Sequence, residues 1–180
     1  MAEHPILGHG CVIDRPGYNA RYLPRYGRQR WLLCKTAFSV VVERAAKFAL
    51  RHGCKLKVFV ERSDRKTDRR VAQYYEDLRA SGMPFDTRTS DRYAPLDAAT
   101  LAGTLYEFRT KKKTSPIMQL ADLYLWPICM GGYDAANRTF VRLRQDRRLI
   151  DNVLDPGDLT ALGIKYSCWE LAAKRTTNNS

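Results

Sequence analysis

Apolar residues along this chain recur with two spacings, one typical of helices and one typical of strands. Spacings of three and four residues predict amphipathic helices at 31–52 and 67–80. Alternating or continuous apolar runs predict strands at 6–13, 55–60, 85–88 and 105–109. Residues 140–149 fit either a strand or a short helix. Strands that alternate with helices predict an α/β layer fold with a largely parallel sheet.

Proline, glycine and small polar residues divide these elements. Asp14-Arg15-Pro16-Gly17 has turn chemistry, so we predict a loop from residue 14 to about residue 30. Ser115-Pro116 supplies an N-cap and a first-turn proline, which predict a third helix through residue 130. Pro127 is expected to kink that helix or to end it early. A chain of 180 residues without a repeat or a linker suits one domain, 1–180.

The charge balance is the strongest compositional signal. Lysine and arginine number 31 against 19 aspartate and glutamate, which gives a formal net charge of +12. A field of this sign attracts polyanions, so nucleic acid, DNA or RNA, is the expected partner.

Tyrosines that could stack on bases alternate, in the predicted loop, with arginines that could pair with phosphates. These residues are Tyr18, Tyr22, Tyr26, Arg21, Arg25, Arg28 and Arg30. The alternative is a solvated loop whose tyrosines pack on the core.

Several classes of protein fit the sequence poorly. No apolar stretch approaches the roughly 20 residues of a membrane helix, and residues 1–5 lack the start of a secretory signal, so we expect a cytoplasmic protein with no membrane partner. Five scattered cysteines without a Cys-x-x-Cys pair argue against a disulfide framework and a zinc cluster. His4, His9 and His52 have no recognisable nucleophile setting, and no glycine-rich phosphate loop is present.

Two carboxylates lie where they could take part in chemistry. Glu61 ends a predicted strand, where α/β proteins gather their sites, although it could instead pair with Arg62 or Arg65. Glu43 lies at the edge of the apolar stripe of the first helix, four residues before Lys47. A solvent-facing pair with Lys47 is the alternative interpretation of Glu43.

Asp122 lies among apolar residues of the third helix. Burying its charge without a partner would cost several kcal/mol. A lysine from 111–113, a backbone amide or a metal ion would each compensate it. Gln119, one turn earlier, shares its face and could orient it.

Three segments together resemble the bacterial family called domain of unknown function 3800. They are Glu43-Arg44 in the first helix, Val58 to Asp64 with Tyr74-Tyr75 behind it, and Gln119 to Leu123 after Lys111 to Ser115. The Gln-Leu-Ala-Asp helix is the most specific of them. The resemblance covers about residues 6–133 and leaves 134–180 as a C-terminal extension. It implies a ribonuclease H-like fold, a mixed sheet flanked by helices.

The resemblance also implies a site, residue by residue. Glu43, Glu61 and Asp122 take the places of the family's catalytic acids, which hold two Mg²⁺ or Mn²⁺ ions for hydrolysis of phosphodiester bonds. Such ions lie about 3.5–4 Å apart and need several shared carboxylate ligands. The residues then expected to contact substrate are Arg62, Lys111, Lys112, Lys113 and Gln119.

One part of the family pattern has no counterpart in this chain. Family members open with a strand that ends in an Asp-Glu-Ser-like motif, whereas Asp14 follows a strand in a turn setting. We therefore expect an N-terminally incomplete or degenerate domain that lacks one acidic ligand. Two alternatives stay open: a non-catalytic basic module that binds nucleic acid, and a protein-interaction module built on the aromatic segment 163–170 with Tyr166 and Trp169.

Overall fold

The computed structural model describes residues 6–27 and 32–169, which form a mixed α/β structure. The helices are α1 (Arg15–Tyr26), α2 (Leu33–Arg51), α3 (Arg65–Ser81), α4 (Thr87–Ser90), α5 (Ala98–Thr104), α6 (Pro116–Tyr133), α7 (Arg138–Gln145) and α8 (Leu159–Leu162). The strands are β1 (Cys11–Ile13), β2 (Leu56–Glu61), β3 (Leu105–Lys111) and β4 (Lys165–Ser167). Short 3-10 turns lie at Asp91–Tyr93, Ile150–Asn152 and Pro156–Asp158.

The four strands form two separate parallel pairs. β1 pairs with β4, with Ile13 opposite Ser167 at their carboxyl ends. β2 pairs with β3, with Glu61 opposite Lys111. The predicted α/β class is confirmed, but within the described segments the expected single mixed sheet is replaced by two two-stranded sheets.

α2 is the central element and contributes to both hydrophobic cores. Val42 and Ala46 belong to a buried cluster with residues of α3 and α5. Phe48, on the same helix, packs against a second cluster that includes Ile128 and Leu149. α2 also contacts β1, β2 and α8. One helix therefore joins the two sheets, which explains why its apolar spacing is so regular and why its prediction is confirmed.

The loop predicted for 14–30 is wrong, because α1 occupies most of it. Asp14 is the N-cap, and its Oδ2 accepts a hydrogen bond from the Gly17 backbone N at 2.8 Å. A Cβ on Gly17 would lie 1.9 Å from the Cys168 carbonyl oxygen, so the first turn of α1 packs directly on the chain after β4. An aspartate with a proline two residues later starts a helix as readily as a turn. Arg28 and Arg30 lie outside the described residues.

The strand predictions are confirmed for two of the four runs. The runs at 55–60 and 105–109 are β2 and β3. Only the end of 6–13 is a strand, and Gly8 adds an isolated parallel bridge to Leu149. The strand predicted at 85–88 is wrong, because Asp86 caps the short helix α4 through its carboxylate.

The remaining two helix predictions are confirmed to within a few residues at each end. Asp64 caps α3 by accepting from the backbone N atoms of Lys66 and Thr67. Ser115 precedes α6 as expected, but the helix runs through Pro127 to Tyr133, so the expected early end is wrong. The ambiguous region 140–149 begins within α7 and has no strand, only the isolated bridge of Leu149 to Gly8.

α6 presents apolar side chains to solvent. Leu123 is 71% exposed, and Leu125 and Trp126 are also exposed. Among the helices of the described segments, none combines the length and the apolar character that crossing a bilayer requires.

Candidate functional site

Glu43 is buried in α2 and is already paired inside the protein. Its Oε1 lies 2.6 Å from Lys47 Nζ, one turn later. It also accepts a hydrogen bond from the Leu96 backbone N at 3.1 Å. Desolvation raises the pKa of Glu43, and the bond from Lys47 opposes that shift. The pair suggested by the spacing is present, but it is buried rather than solvent-facing.

Glu61 lies exposed at the carboxyl end of the β2–β3 pair. It sits opposite Lys111 in the register, and the Arg62 backbone N donates to the Lys111 carbonyl oxygen at 2.8 Å. Lys112 and Lys113 continue the turn in exposed positions. The structure therefore brings Glu61, Arg62 and the lysines together as a mostly basic strand end.

Gln119 and Asp122 lie one turn apart on α6, and both are exposed. The expectation that Asp122 carries a buried charge is wrong, because α6 turns this part of its surface to water. Water solvates the carboxylate, so no neighbouring cation is required.

The three candidate acids are not gathered into a metal site. In residues 6–27 and 32–169, no three His, Cys, Asp or Glu side chains form a group that could hold a metal ion. Glu43 faces Lys47 in the interior, whereas Glu61 and Asp122 face solvent on a strand end and a helix. As placed here, these side chains do not fit a two-ion site for Mg²⁺ or Mn²⁺.

A different site opens at the carboxyl ends of β1 and β4. This cleft has a volume of about 620 Å³ and is bounded by Ile13 and Ser167, by α1 and α2, and by the segment 83–95. Parallel α/β sheets commonly bind ligands at the carboxyl ends of their strands. The volume lies within the range of small-ligand sites, roughly 300–1,000 Å³. Because its lining is rich in tyrosine, we call it the tyrosine cleft.

Three tyrosines on one face of α1 line one wall. Tyr18, Tyr22 and Tyr26 are spaced by four residues, so they lie one above another on the helix. Ring centroids are 4.9 Å apart for the first pair and 6.2 Å for the second. Tyr18 is 3% exposed and Tyr26 50% exposed. The rings thus run from the core to the mouth of the cleft, and the Arg21 guanidinium lies 5.6 Å from the Tyr22 ring centroid.

Three cations surround Tyr93 on the opposite wall. Lys165 Nζ donates to the Tyr93 hydroxyl oxygen at 2.8 Å. The guanidinium carbons of Arg92 and Arg44 lie 4.7 Å and 5.9 Å from the Tyr93 ring centroid. Arg44 is buried, and it donates to the backbone carbonyl oxygens of Gly163 and Thr160. This cluster comes from three separate parts of the chain.

The electrostatics of Tyr93 differ from those of Tyr166 in the same cleft. Burial alone would raise the pKa of Tyr93, but the hydrogen bond from Lys165 and the charges of Lys165 and Arg92 lower it overall. Tyr166 instead donates to the Ile128 carbonyl oxygen at 2.7 Å, and desolvation raises its pKa to about 12. Of these two tyrosines, Tyr93 is therefore the one whose surroundings lower the pKa of the hydroxyl group.

The aromatic C-terminal segment faces inward over its described part. The Trp169 ring lies 4.1 Å from that of Tyr133 and 5.7 Å from that of Tyr166. Trp169 Nε1 also donates to the Val12 carbonyl oxygen at 3.5 Å. Tyr166 and Trp169 thus pack the end of β4 against β1 and α6.

Comparisons with known proteins give one curated relative and no function. The chain is 37% identical over 171 residues to the uncharacterized protein y4pM of Sinorhizobium fredii (strain NBRC 101917 / NGR234). The alignment takes in 94% of this chain and 62% of that protein, so the chain spans less than two thirds of its relative's length. No protein-family model matches the chain, and no solved structure matches it. Nearly the whole of this chain is therefore similar to part of a longer protein.

Proposed function

We propose that this protein binds single-stranded nucleic acid in the tyrosine cleft. The observation that carries the proposal is the pairing of two walls: a ladder of tyrosine rings on α1 and a cluster of cations around Tyr93. Proteins that bind single strands combine aromatic rings, on which bases stack, with cations that follow the phosphates. A cytoplasmic location, where such strands occur, belongs to the same proposal.

The charges of the cleft favour phosphate over a neutral ligand. Arg21, Arg25, Arg44, Arg92 and Lys165 line it, against the carboxylates of Glu43 and Asp86. Glu43 is neutralised by Lys47, which leaves a clear excess of positive charge near the rings. The net charge of +12 extends this field over the whole molecule and steers a polyanion toward it.

Replacing Tyr22 by alanine is expected to weaken binding about tenfold. Stacking of one base on one aromatic ring contributes roughly 1–3 kcal/mol. Fluorescence anisotropy with labelled single-stranded DNA and RNA of about 12 nucleotides, a length within the usual site sizes, measures the affinity. The affinity should also fall steeply between about 50 and 200 mM salt, and chelators should not change it.

Tyr106 supplies a matched control for Tyr22. It is 61% exposed on β3 with Lys57 Nζ 5.2 Å from its ring centroid, a tyrosine and a cation that do not line the cleft. Tyr106→Ala should leave the affinity unchanged. Equal losses of affinity in Tyr22→Ala and Tyr106→Ala would contradict the proposal, and so would an affinity that does not change with salt.

Metal-dependent hydrolysis is a second proposal, and it rests on the resemblance to domain of unknown function 3800 and its ribonuclease H-like fold. One local feature favours it: Glu61, Arg62 and Lys111 meet at the carboxyl end of the β2–β3 pair, a usual place for a site in an α/β protein. In the described segments Glu43, Glu61 and Asp122 do not converge, so a metal ion would need a different arrangement of these side chains.

The hydrolysis proposal predicts cleavage of labelled DNA or RNA in Mg²⁺ or Mn²⁺. Asp122→Asn should slow that cleavage at least about 100-fold, since even residues that only support a metal ligand commonly matter by 10–100-fold. Asp155→Asn, at another exposed aspartate, is the control. Cleavage that is equally fast in both variants would remove Asp122 from the proposed site.

A further inference from the structure

The hydroxyl group of Tyr93 is surrounded by donors. Lys165 Nζ donates to it at 2.8 Å, and an ammonium group cannot accept the phenol proton in return. Arg92 and Arg44 add two guanidinium groups near the ring, and guanidinium groups are also donors only. The half-buried Tyr93 oxygen therefore takes the role of an acceptor, and its proton has no carboxylate to hold it within the described segments.

Other tyrosines near the cleft show the opposite arrangement. Tyr166 donates its proton to the Ile128 carbonyl oxygen, and Tyr133 donates to Asp14 Oδ1 at 3.0 Å. Each of these hydroxyl groups therefore has an acceptor as the partner for its proton. A tyrosine oxygen that faces cations is the arrangement expected of a phenolate nucleophile.

The same cations would attract a phosphate group. Arg44 is held by two backbone carbonyl oxygens, and Lys165 by the Tyr93 hydroxyl. Over the described residues, neither forms an ion pair with a carboxylate, and neither does Arg92. A phosphodiester that entered the tyrosine cleft would meet Arg92 and Lys165 beside a tyrosine oxygen, with the charge of the buried Arg44 behind them.

The backbone fixes Tyr93 at this point. The 3-10 turn Asp91–Tyr93 ends at Ala94, which has φ 45° and ψ 61°, a left-handed conformation that is uncommon outside glycine. Lys47 Nζ donates to the Tyr93 carbonyl oxygen at 2.7 Å, so the buried pair in α2 also holds this turn. The position of the Tyr93 side chain is thus determined by contacts on both sides.

We propose that Tyr93 is a nucleophile that joins the protein covalently to the nucleic-acid strand bound in the tyrosine cleft. The proposal rests on the proposed function, because the strand must first bind there. The reaction is a transesterification, in which a phosphodiester of the strand is exchanged for a phosphodiester to tyrosine.

Atoms and protons balance in this step without a co-reactant. The phenol releases its proton to water, and its oxygen attacks the phosphorus atom. The new oxygen–phosphorus bond forms as the bond from phosphorus to one sugar oxygen breaks, and that sugar oxygen takes a proton from water. Arg44, Arg92 and Lys165 offset the charge on the phosphate oxygens in the transition state. Nothing is oxidised or reduced, and no divalent ion is required.

The test is a search for a covalent adduct in the presence of a chelator. Full-length protein is incubated with single-stranded DNA or RNA labelled at one end, with either end tested separately, and then denatured in detergent. We expect a labelled band at the mass of protein plus a fragment, and mass spectrometry should place the fragment on the peptide that contains Tyr93. Lys165→Met should slow adduct formation about 100-fold, the usual effect of removing one transition-state donor.

Tyr93→Phe separates this inference from the proposed function. It should form no adduct even at strand concentrations that saturate it in the anisotropy measurement, whereas the control Tyr106→Phe should form the adduct normally. Wild-type binding without an adduct, or an adduct that persists in Tyr93→Phe, would overturn the nucleophile and leave the binding proposal standing. Failure of the wild-type protein to bind any strand would instead remove the proposed function itself.

Discussion

Replacing Glu43 by alanine is expected to lower the free energy of unfolding by about 3–5 kcal/mol, because it leaves the buried Lys47 charge unpaired. The two side chains are 4% and 9% exposed, and their charged atoms are 2.6 Å apart. The substitution also removes the acceptor of the Leu96 backbone N. Urea denaturation followed by circular dichroism measures the change.

The exposed pair on α7 is a matched control for this prediction. Arg142 Nε and Asp146 Oδ2 are 2.7 Å apart with the same four-residue spacing, but the arginine side chain is 74% exposed. Such pairs contribute about 0.3–0.5 kcal/mol, so Asp146→Ala should have a small effect. If Glu43→Ala and Asp146→Ala lower the free energy of unfolding by similar amounts, burial does not determine how much the Glu43–Lys47 pair contributes to stability.

This pair connects stability to the tyrosine cleft. Lys47 donates to the Tyr93 carbonyl oxygen, and Glu43 accepts from Leu96, so both ends of the pair hold the segment that carries Tyr93. The resemblance to domain of unknown function 3800 implies that Glu43 is a metal ligand. The structure gives Glu43 a different set of contacts, as part of the support beneath the cleft.

The long elements could be predicted because their signal repeats. α2 shows the three- and four-residue spacing over five turns, and its buried residues Val42 and Ala46 follow that spacing. α1 was missed because Pro16, Gly17 and Pro24 occur within one short stretch, and each is a poor helix former in isolation. The helix forms there because Asp14 caps it and its first turn packs on Cys168.

The cleft could be predicted only in part. The four-residue spacing of Tyr18, Tyr22 and Tyr26 is visible in the sequence, and a helical interpretation of that segment places them on one face. Their partners across the cleft are not visible, since Arg44, Tyr93 and Lys165 are separated by dozens of residues and meet only through the pairing of β1 with β4. No local pattern encodes that pairing.

For Asp122 the sequence predicts burial, and the structure shows exposure. Its neighbours along the chain are apolar, and local composition therefore suggests burial. Leu123, Leu125 and Trp126 are nevertheless exposed, so the apolar composition of α6 does not mark a buried helix. The exposure of a side chain depends on which face the neighbouring elements cover, and the sequence of one helix does not contain that information.

The stability of the protein is expected to fall as the pH is lowered from about 6.5 to about 4, and His9 is the residue responsible. Desolvation, aided by the charge of Arg44, lowers the pKa of His9 to about 4 from its ordinary 6.5. The unfolded chain therefore binds a proton in this window that the folded protein does not. At about 1.4 kcal/mol per pH unit, the loss is at most about 3 kcal/mol.

His9→Asn should remove this part of the pH dependence, since asparagine does not titrate. Urea unfolding at pH 7 and near pH 4.5 gives the loss for each protein, and the difference between wild type and variant isolates His9 from the carboxylates that also titrate at low pH. His52→Asn, at an exposed histidine on the C-cap of α2, is the control and should keep the wild-type slope. If His9→Asn loses as much stability as wild type between pH 7 and about pH 4.5, His9 does not remain neutral beside Arg44.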